Sequence, residues 1–113
     1  MTTQYDRSQL LIGETGLQKL RQAHVAIAGI GGVGSYVAEA LARAGIGRLT
    51  LIDHDVIDVT NLNRQIHALH STIGQAKVTV MQERIADIDP DIDVIAKTDF
   101  ILPENIDKVF NES

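Results

Sequence analysis

The sequence predicts an α/β fold, namely a Rossmann-like three-layer α/β/α half-domain with a mainly parallel sheet and N-terminal helices. The first observation is that an apolar run at 23–28 leads directly into a glycine-rich run at 29–34, which apolar residues at helical spacing follow. The second observation is that apolar runs recur at 49–52 and 92–96, with a helical segment between them. The order β-α-β-loop-α-β, with right-handed crossovers, forms half of a doubly wound sheet.

The first 22 residues predict a helical cover in front of a Rossmann-like core that spans 23–113. Four leucines around a glycine are consistent with two short helices: Leu10, Leu11, Gly13, Leu17 and Leu20. No repeat, linker or low-complexity stretch interrupts the chain. We therefore expect all 113 residues to form one unit, the N-terminal nucleotide-binding half of a larger domain.

Helical periodicity appears twice after the first strand. The first helix follows the glycines, with apolar residues at Val33, Val37, Leu41 and Ala44. The second covers about 74–88, with apolar residues at Val78, Met81, Ile85 and Ile88, and Pro90 ends it.

The remaining predictions concern the loop after the second strand, a helix near the C-terminus and the position of the first strand in the sheet. Asp and Asn are too dense in 53–65 for a regular strand, which predicts a structured loop with short turns. A further helix is predicted from Pro103. In a complete doubly wound sheet the first strand has a neighbour on each side, so in this chain we expect it at an edge unless another chain or a missing segment covers it.

Composition excludes several classes of function. Because the chain has no cysteine, it contains no disulfide, thiolate zinc site or cysteine nucleophile. The net charge of −5 does not favour binding to the phosphates of a nucleic acid, so an RNA substrate would be bound mainly by other segments. No apolar run is long enough for a membrane helix, and no signal peptide is apparent, so we expect a cytoplasmic protein.

The glycine run predicts a phosphate site. Glycines let the backbone turn tightly and approach a pyrophosphate, and the free N–H groups at the helix start face the anion. Asp53, at the end of the second strand, suits a ribose hydroxyl pair. NAD would satisfy the same pattern, but Arg64 and Lys77 favour a triphosphate because NAD sites rarely need two more cations at the phosphates.

Five blocks, in order, resemble the ubiquitin-activating-type adenylating enzymes of the ThiF/MoeB/HesA superfamily. The blocks are Tyr5–Leu11, Gly29–Ser35, Leu51–Asp55, Thr60–Gln65 and Ser71–Lys77. The run Asn63–Leu69 is most similar to the branch that contains the tRNA threonylcarbamoyladenosine dehydratases.

The resemblance implies an ATP site in which Gly32 lies against the triphosphate. The residues that it implies for nucleotide binding are Gly29, Gly31, Gly32, Gly34, Asp53, Asp55, Asn61, Arg64 and Lys77. The residues that it implies for catalysis are Arg64, Lys77 and Arg7, with Arg7 reaching across the interface of a homodimer. It also implies Mg²⁺, but the aspartate that helps to bind this ion in the family follows a later strand, so no metal ligand is expected in this chain.

The dehydratase branch implies a tRNA substrate, with ring closure of its threonylcarbamoyl side chain through an activated carboxylate. A second possibility is an adenylyltransferase that activates the C-terminus of a ubiquitin-like sulfur-carrier protein. Two others are a nicotinamide-dependent oxidoreductase and an inactive dimerisation module. By itself the chain is expected to have little or no turnover.

Several of these residues also have simpler interpretations. Lys77 could be a solvated helix charge, and Arg64 could belong to a hydrogen-bonded turn. Asp55 and Asp58 could be helix caps. His67 and His70 have the spacing of a metal pair but lack a third ligand nearby.

Overall fold

The computed structural model describes residues 6–98, without the side chains of 6–12 and 14. Within this range the elements alternate between helix and strand. They are α1 (Asp6–Gln22), β1 (His24–Ala28), α2 (Gly32–Ala44), β2 (Arg48–Ile52), 3₁₀ turns at Val59–Asn61 and His70–Thr72, α3 (Lys77–Ile88) and β3 (Asp93–Lys97). The helix predicted from Pro103 lies outside the described residues, as does any layer that it would add to the sheet.

The three strands form a parallel sheet in the order β1-β2-β3. A parallel pair needs a crossover connection, and α2 and α3 supply the two crossovers here. The predicted Rossmann-like α/β fold is therefore confirmed. Because all three strands run in the same direction, their carboxyl ends meet at one edge, where this class of sheet binds ligands.

The main core lies between the sheet and the pair of helices. Leu49 and Leu51 of β2 are fully buried, as are Ala38 and Ala42 of α2. The small alanine side chains let α2 approach the sheet closely, while α3 contributes larger apolar residues, Val78, Met81 and Ile85. For α3 the spacing of these residues is the helical periodicity of the sequence, so burial of that face accounts for the position of the helix. For α2 the buried face consists of Ser35, Ala38 and Ala42, whereas Val33 and Val37 of the apolar periodicity seen in the sequence are exposed, because only small side chains fit between this helix and the sheet.

Two local details refine the predicted helices. α1 is interrupted at Gly13, where φ is +77°, so the predicted glycine break is confirmed. α3 begins at Lys77 rather than near residue 74. The reason is a long-range contact, because Ala76 is extended and bridges Val56, and Gln75 accepts a hydrogen bond from the N–H of Ile57 at 2.8 Å.

β1 is the edge of the described sheet, as expected. Ala26 and Ala28 are exposed on it, and α2 presents Val33, Tyr36 and Val37 to solvent. Each of these three side chains is more than a third exposed. None of the described helices is long and apolar enough to cross a bilayer.

An ion pair joins the two crossover helices. Glu39 of α2 contacts the guanidinium of Arg84 on α3, and Arg43 lies 3.4 Å away on the next turn of α2. The hydrogen bond from Arg84 is the largest cause that lowers the pKa of Glu39 below its usual value. This carboxylate therefore stabilises the fold above about pH 4.5, and the contribution is lost as the pH falls through the lowered pKa.

Replacing Glu39 by glutamine should reduce the free energy of unfolding by about 0.5–1 kcal/mol at pH 7, because the pair is partly exposed. The difference from the wild type should shrink toward zero as the carboxyl protonates at low pH. Urea unfolding at pH 7 and pH 3 measures both quantities. A difference that grows in acid would contradict this role of the ion pair.

Candidate nucleotide-binding site

The loop between β1 and α2 turns back tightly on itself. The N–H of Gly29 donates to the carbonyl of Ile52 at 2.8 Å, and Gly29 has a φ of +89°, a conformation that favours glycine. One turn into α2, a Cβ added to Gly34 would collide with the carbonyl oxygen of Gly29. The sequence pattern thus reflects two separate backbone requirements, a left-handed residue at one end and close packing at the other.

Gly32 lies in a different environment from Gly34. No atom is within 4 Å of a Cβ placed on Gly32, so among the described residues nothing in the fold itself requires glycine there. The first turn of α2 contains no acidic residue, and Gly31 at its N-cap makes no side-chain hydrogen bond. The helix N-terminus therefore presents uncapped N–H groups beside an open surface, which suits an anion.

Asp53 lies beside this loop, at the carboxyl end of β2. Its Oδ2 accepts a hydrogen bond from the N–H of Ile30 at 2.6 Å, and its Oδ1 accepts one from the N–H of Asp55 at 2.8 Å. The sequence predicts that this carboxylate binds ribose. In the structure it also connects the glycine loop to the start of the next loop, which the sequence did not indicate.

Lys77, at the start of α3, is 7% exposed. Its N–H donates to the carbonyl of Asp55 at 3.1 Å, and its ammonium is 3.9 Å from the Asp55 carboxylate, which also lies 3.1 Å from His54. A cation is unfavourable at a helix N-terminus. Lys77 is therefore buried at a position where its charge does not stabilise the helix, which is not the behaviour of a solvated surface charge.

His67 supports the loop from inside the protein. It is 1% exposed, and its Nε2 lies 2.6 Å from the carbonyl oxygen of Ile30. Burial is the main cause that lowers its pKa, and the positive charge of Lys77 acts in the same direction, while the bond to Ile30 and the charge of Asp53 act against it. His67 is thus committed to the glycine loop and is not half of a metal pair with His70.

Arg64 is exposed on the loop that precedes α3. Its Nη1 donates to the carbonyl of Thr60 at 2.8 Å and to the side chain of Asn63 at 3.0 Å. In this structure the guanidinium therefore belongs to a hydrogen-bonded turn, the simpler of its two interpretations. Its approach to phosphates stays a prediction, because these are contacts that an exposed side chain can exchange for a ligand.

Asn61 and Asp58 cap the first 3₁₀ turn. The side chain of Asn61 accepts from the N–H of Asp58 at 2.8 Å, and the side chain of Asp58 accepts from the N–H of Thr60 at 3.1 Å. The hydroxyl of Thr60 is the largest cause that lowers the pKa of Asp58. Asp58 is thus a cap, as its simpler interpretation has it. Asn61 is buried with its oxygen engaged in the turn, and its predicted contact with phosphate stays a prediction.

Gln65 is a second buried polar residue of this site that the sequence analysis missed. It is 7% exposed, and its Nε2 would be 3.7 Å from a Cβ on Gly31. Its Oε1 is buried without a hydrogen-bond partner among the described residues. The sequence offered one indication that Gln65 belongs to the site, namely that it directly follows Arg64 and lies two residues before His67.

Two further predictions concern Arg7 and Mg²⁺. Arg7 lies in the first turn of α1, but its side chain is outside the described set. Among residues 6–98, Asp53, His54 and Asp55 form the one group whose ligand atoms lie within 4.8 Å of one another. It does not fit Mg²⁺, because the ammonium of Lys77, 3.9 Å from the Asp55 carboxylate, would repel a second cation and because Mg²⁺ prefers oxygen ligands to an imidazole such as that of His54.

The described residues do fit a nucleotide. The helix N-terminus is open, the Asp53 carboxylate is hydrogen-bonded to the loop that precedes it, and the buried cation of Lys77 lies 3.9 Å from Asp55, whose N–H also bonds Asp53. Together these groups can hold a phosphate chain and stabilise negative charge that develops on it.

Residues 5–113 match the family model described as the ThiF family.

Known proteins extend this likeness. The chain is 51% identical over 111 residues to the tRNA threonylcarbamoyladenosine dehydratase of Bacillus subtilis, covering 98% of this chain and 44% of that protein. It is 55% identical over 96 residues to the Escherichia coli protein of the same name, covering 85% of this chain and 36% of that protein. The chain therefore spans less than half the length of these relatives.

A crystal structure of the E. coli tRNA N6-threonylcarbamoyladenosine dehydratase in complex with ATP superimposes with a TM-score of 0.94 at 48% identity. The match covers 97% of this chain and 45% of that one. At this level of identity and coverage the likeness extends to the whole arrangement of β1, α2, β2, α3 and β3.

Proposed function

Because the chain belongs to the ThiF family, we propose that it forms the ATP-binding part of a tRNA threonylcarbamoyladenosine dehydratase. The observation that carries this proposal is the close likeness, over nearly the whole chain, to a dehydratase crystallised with ATP. The open surface at Gly32, the bond between Asp53 and the N–H of Ile30, and the burial of the Lys77 cation support the same proposal from the chain's own geometry.

The proposed reaction has two steps. A carboxylate oxygen of the threonylcarbamoyl side chain attacks the α-phosphorus of ATP, the bond from that phosphorus to the bridging oxygen breaks, and pyrophosphate leaves. A nitrogen of the same side chain then attacks the activated acyl carbon, losing its proton to solvent as AMP leaves. The sum is loss of one water from the side chain, with ATP converted to AMP and pyrophosphate.

The residues have complementary parts in the first step. The N–H groups at the start of α2 and the ammonium of Lys77 would hold the triphosphate, and Gly32 keeps a side chain out of its path. Arg64 would add a planar fork for two phosphate oxygens, and Asn61 and Asp55 would contact the same nucleotide. Asp53 would hold the ribose. Negative charge builds up on the phosphate oxygens in the transition state, so these groups would stabilise the transition state more than the ground state.

The proposed enzyme also needs groups that the described residues of this chain do not supply. Arg7 would reach into the site of the second subunit of a homodimer. The tRNA would be gripped mainly outside this acidic chain, whose net charge is −5. Mg²⁺ would be held by residues outside the described set and would neutralise negative charge on the phosphates. Such an enzyme would act in the cytoplasm, where its tRNA is.

The test is exchange of labelled pyrophosphate into ATP by the full-length gene product. Exchange should require tRNA that carries threonylcarbamoyladenosine and should be absent with tRNA that lacks the modification. Exchange stimulated by a small carrier protein with a C-terminal Gly-Gly, and not by tRNA, would contradict the dehydratase and favour a carrier-protein adenylyltransferase. Thermal stabilisation by NAD alone would contradict both.

Asp53→Ala should raise the Kd for ATP at least about tenfold, because it removes both a ribose contact and the acceptor for the N–H of Ile30. Isothermal titration of the full-length product measures this. Asp87→Ala, which replaces an exposed aspartate on α3, is the matched control and should bind as the wild type does. An unchanged Kd for Asp53→Ala would mean that the ribose lies elsewhere.

A further inference from the structure

The backbone N–H and the backbone C=O of Ile30 each form a hydrogen bond with a side chain from later in the sequence. The Asp53 carboxylate accepts its N–H at 2.6 Å, and the His67 ring lies 2.6 Å from its carbonyl oxygen. The Ile30 side chain is fully buried. We call these two contacts the Ile30 clamp. It acts on the residue directly before Gly31 and Gly32, where the loop meets the open surface.

We propose that His67 is a positioning residue for ATP, because it fixes the peptide between Ile30 and Gly31. In a trans peptide the C=O and N–H groups point in opposite directions. Holding the carbonyl of Ile30 inward against His67 therefore turns the N–H of Gly31 outward, away from His67. This proposal rests on the proposed ATP site.

The N–H of Gly31 has no acceptor among the described residues, which agrees with a donor kept for a ligand. Gly31 is also the N-cap of α2, and its φ of −99° and ψ of −141° set the direction in which the helix begins. The Ile30 clamp thus acts on the first donor of the phosphate site rather than on the fold as a whole.

The geometry also specifies the tautomer of His67. A carbonyl oxygen only accepts hydrogen bonds, so Nε2 carries the proton and donates it to Ile30. Nδ1 is then a bare acceptor, and it is buried without a partner among the described residues. Protonating Nδ1 would bury a cation near Lys77, with Asp53 as the opposing charge, so the ring works in its neutral form.

The test compares three variants of the full-length gene product. His67→Leu removes the donor, His67→Gln retains an amide donor, and His70→Leu is the matched control at an exposed histidine. We expect His67→Leu to raise the KM for ATP about tenfold while the KM for tRNA stays within twofold. His67→Gln should recover most of the ATP effect, and His70→Leu should match the wild type.

A merely structural role gives a different result, because partial unfolding lowers kcat without changing either KM. An unchanged KM for ATP in His67→Leu, or equal changes for ATP and tRNA, would overturn the positioning role. A wild type that does not bind ATP at all would instead overturn the proposed function.

A measurement on the wild type covers the case in which His67→Leu does not fold. Nitrogen-15 NMR of the imidazole should find the Nε2–H tautomer of His67 from pH 6 to pH 8, and ATP should shift the amide resonance of Gly31 strongly. An Nδ1–H tautomer, or a Gly31 amide that ATP leaves unmoved, would overturn the proposal.

Discussion

Replacing Lys77 by methionine should lower the rate of adenylyl transfer by roughly 100- to 1,000-fold, the range for removing one preorganised charge donor. The buried stem of Lys77 is retained because methionine is similar in length and apolar. The fold should be as stable as the wild type or more so, because a buried cation leaves the N-terminus of α3. Pyrophosphate exchange gives the rate, and urea unfolding gives the stability.

Lys19→Met is the matched control, since Lys19 is an exposed lysine in the last turn of α1. It should leave both measurements unchanged. A Lys77→Met protein that retains wild-type exchange would exclude an electrostatic role for this residue. A protein that loses exchange only because it unfolds would show instead that Lys77 matters for packing.

Replacing Gly34 by alanine should reduce the free energy of unfolding by about 3 kcal/mol or more, at the upper end for forcing extra volume into a packed interior. The added methyl group would collide with the carbonyl oxygen of Gly29, and both groups belong to the backbone. Neither can move aside without displacing β1 or α2. Urea unfolding followed by circular dichroism measures the loss.

Gly32→Ala is the matched control for the fold, because the same methyl group meets no atom within 4 Å there. This variant should unfold like the wild type but bind ATP at least about tenfold more weakly, as the methyl group would occupy the path of the triphosphate. Equal destabilisation of both variants would contradict the division of roles between Gly32 and Gly34. Unimpaired ATP binding by Gly32→Ala would mean that the phosphates pass elsewhere.

The sequence predicted the elements whose signals are local. The strand, glycine turn and helix at 23–44 follow from apolar spacing and from the conformational freedom of glycine. The position of Asp53 followed from the end of a strand. The start of α3 was placed three residues early, because Gly74 fits a helical start in sequence while the pairing of Ala76 with Val56 comes from 20 residues away.

The sequence did not predict the contacts that single side chains between residues 53 and 67 make with the glycine loop. His67 and Gln65 lie in a segment without periodicity, so no pattern distinguishes a buried polar residue there from an exposed one. Asp53 looked like a ligand-binding group only, because its bonds to Ile30 and Asp55 depend on how two loops meet. The bonds that Asp53 and His67 make to Ile30 need coordinates, since they join residues more than 20 positions apart.

The outer edge of β1 is covered by no strand among the described residues, which has a practical consequence for work on this chain. Its outer backbone groups form a template on which another extended segment can assemble, and the alanines along it offer neither charge nor bulk to discourage that. The exposed valines and tyrosine of α2 add apolar surface that can also associate. Kept at high concentration, the chain will tend to associate through this flank, so loss of soluble material should not be mistaken for a failure to fold.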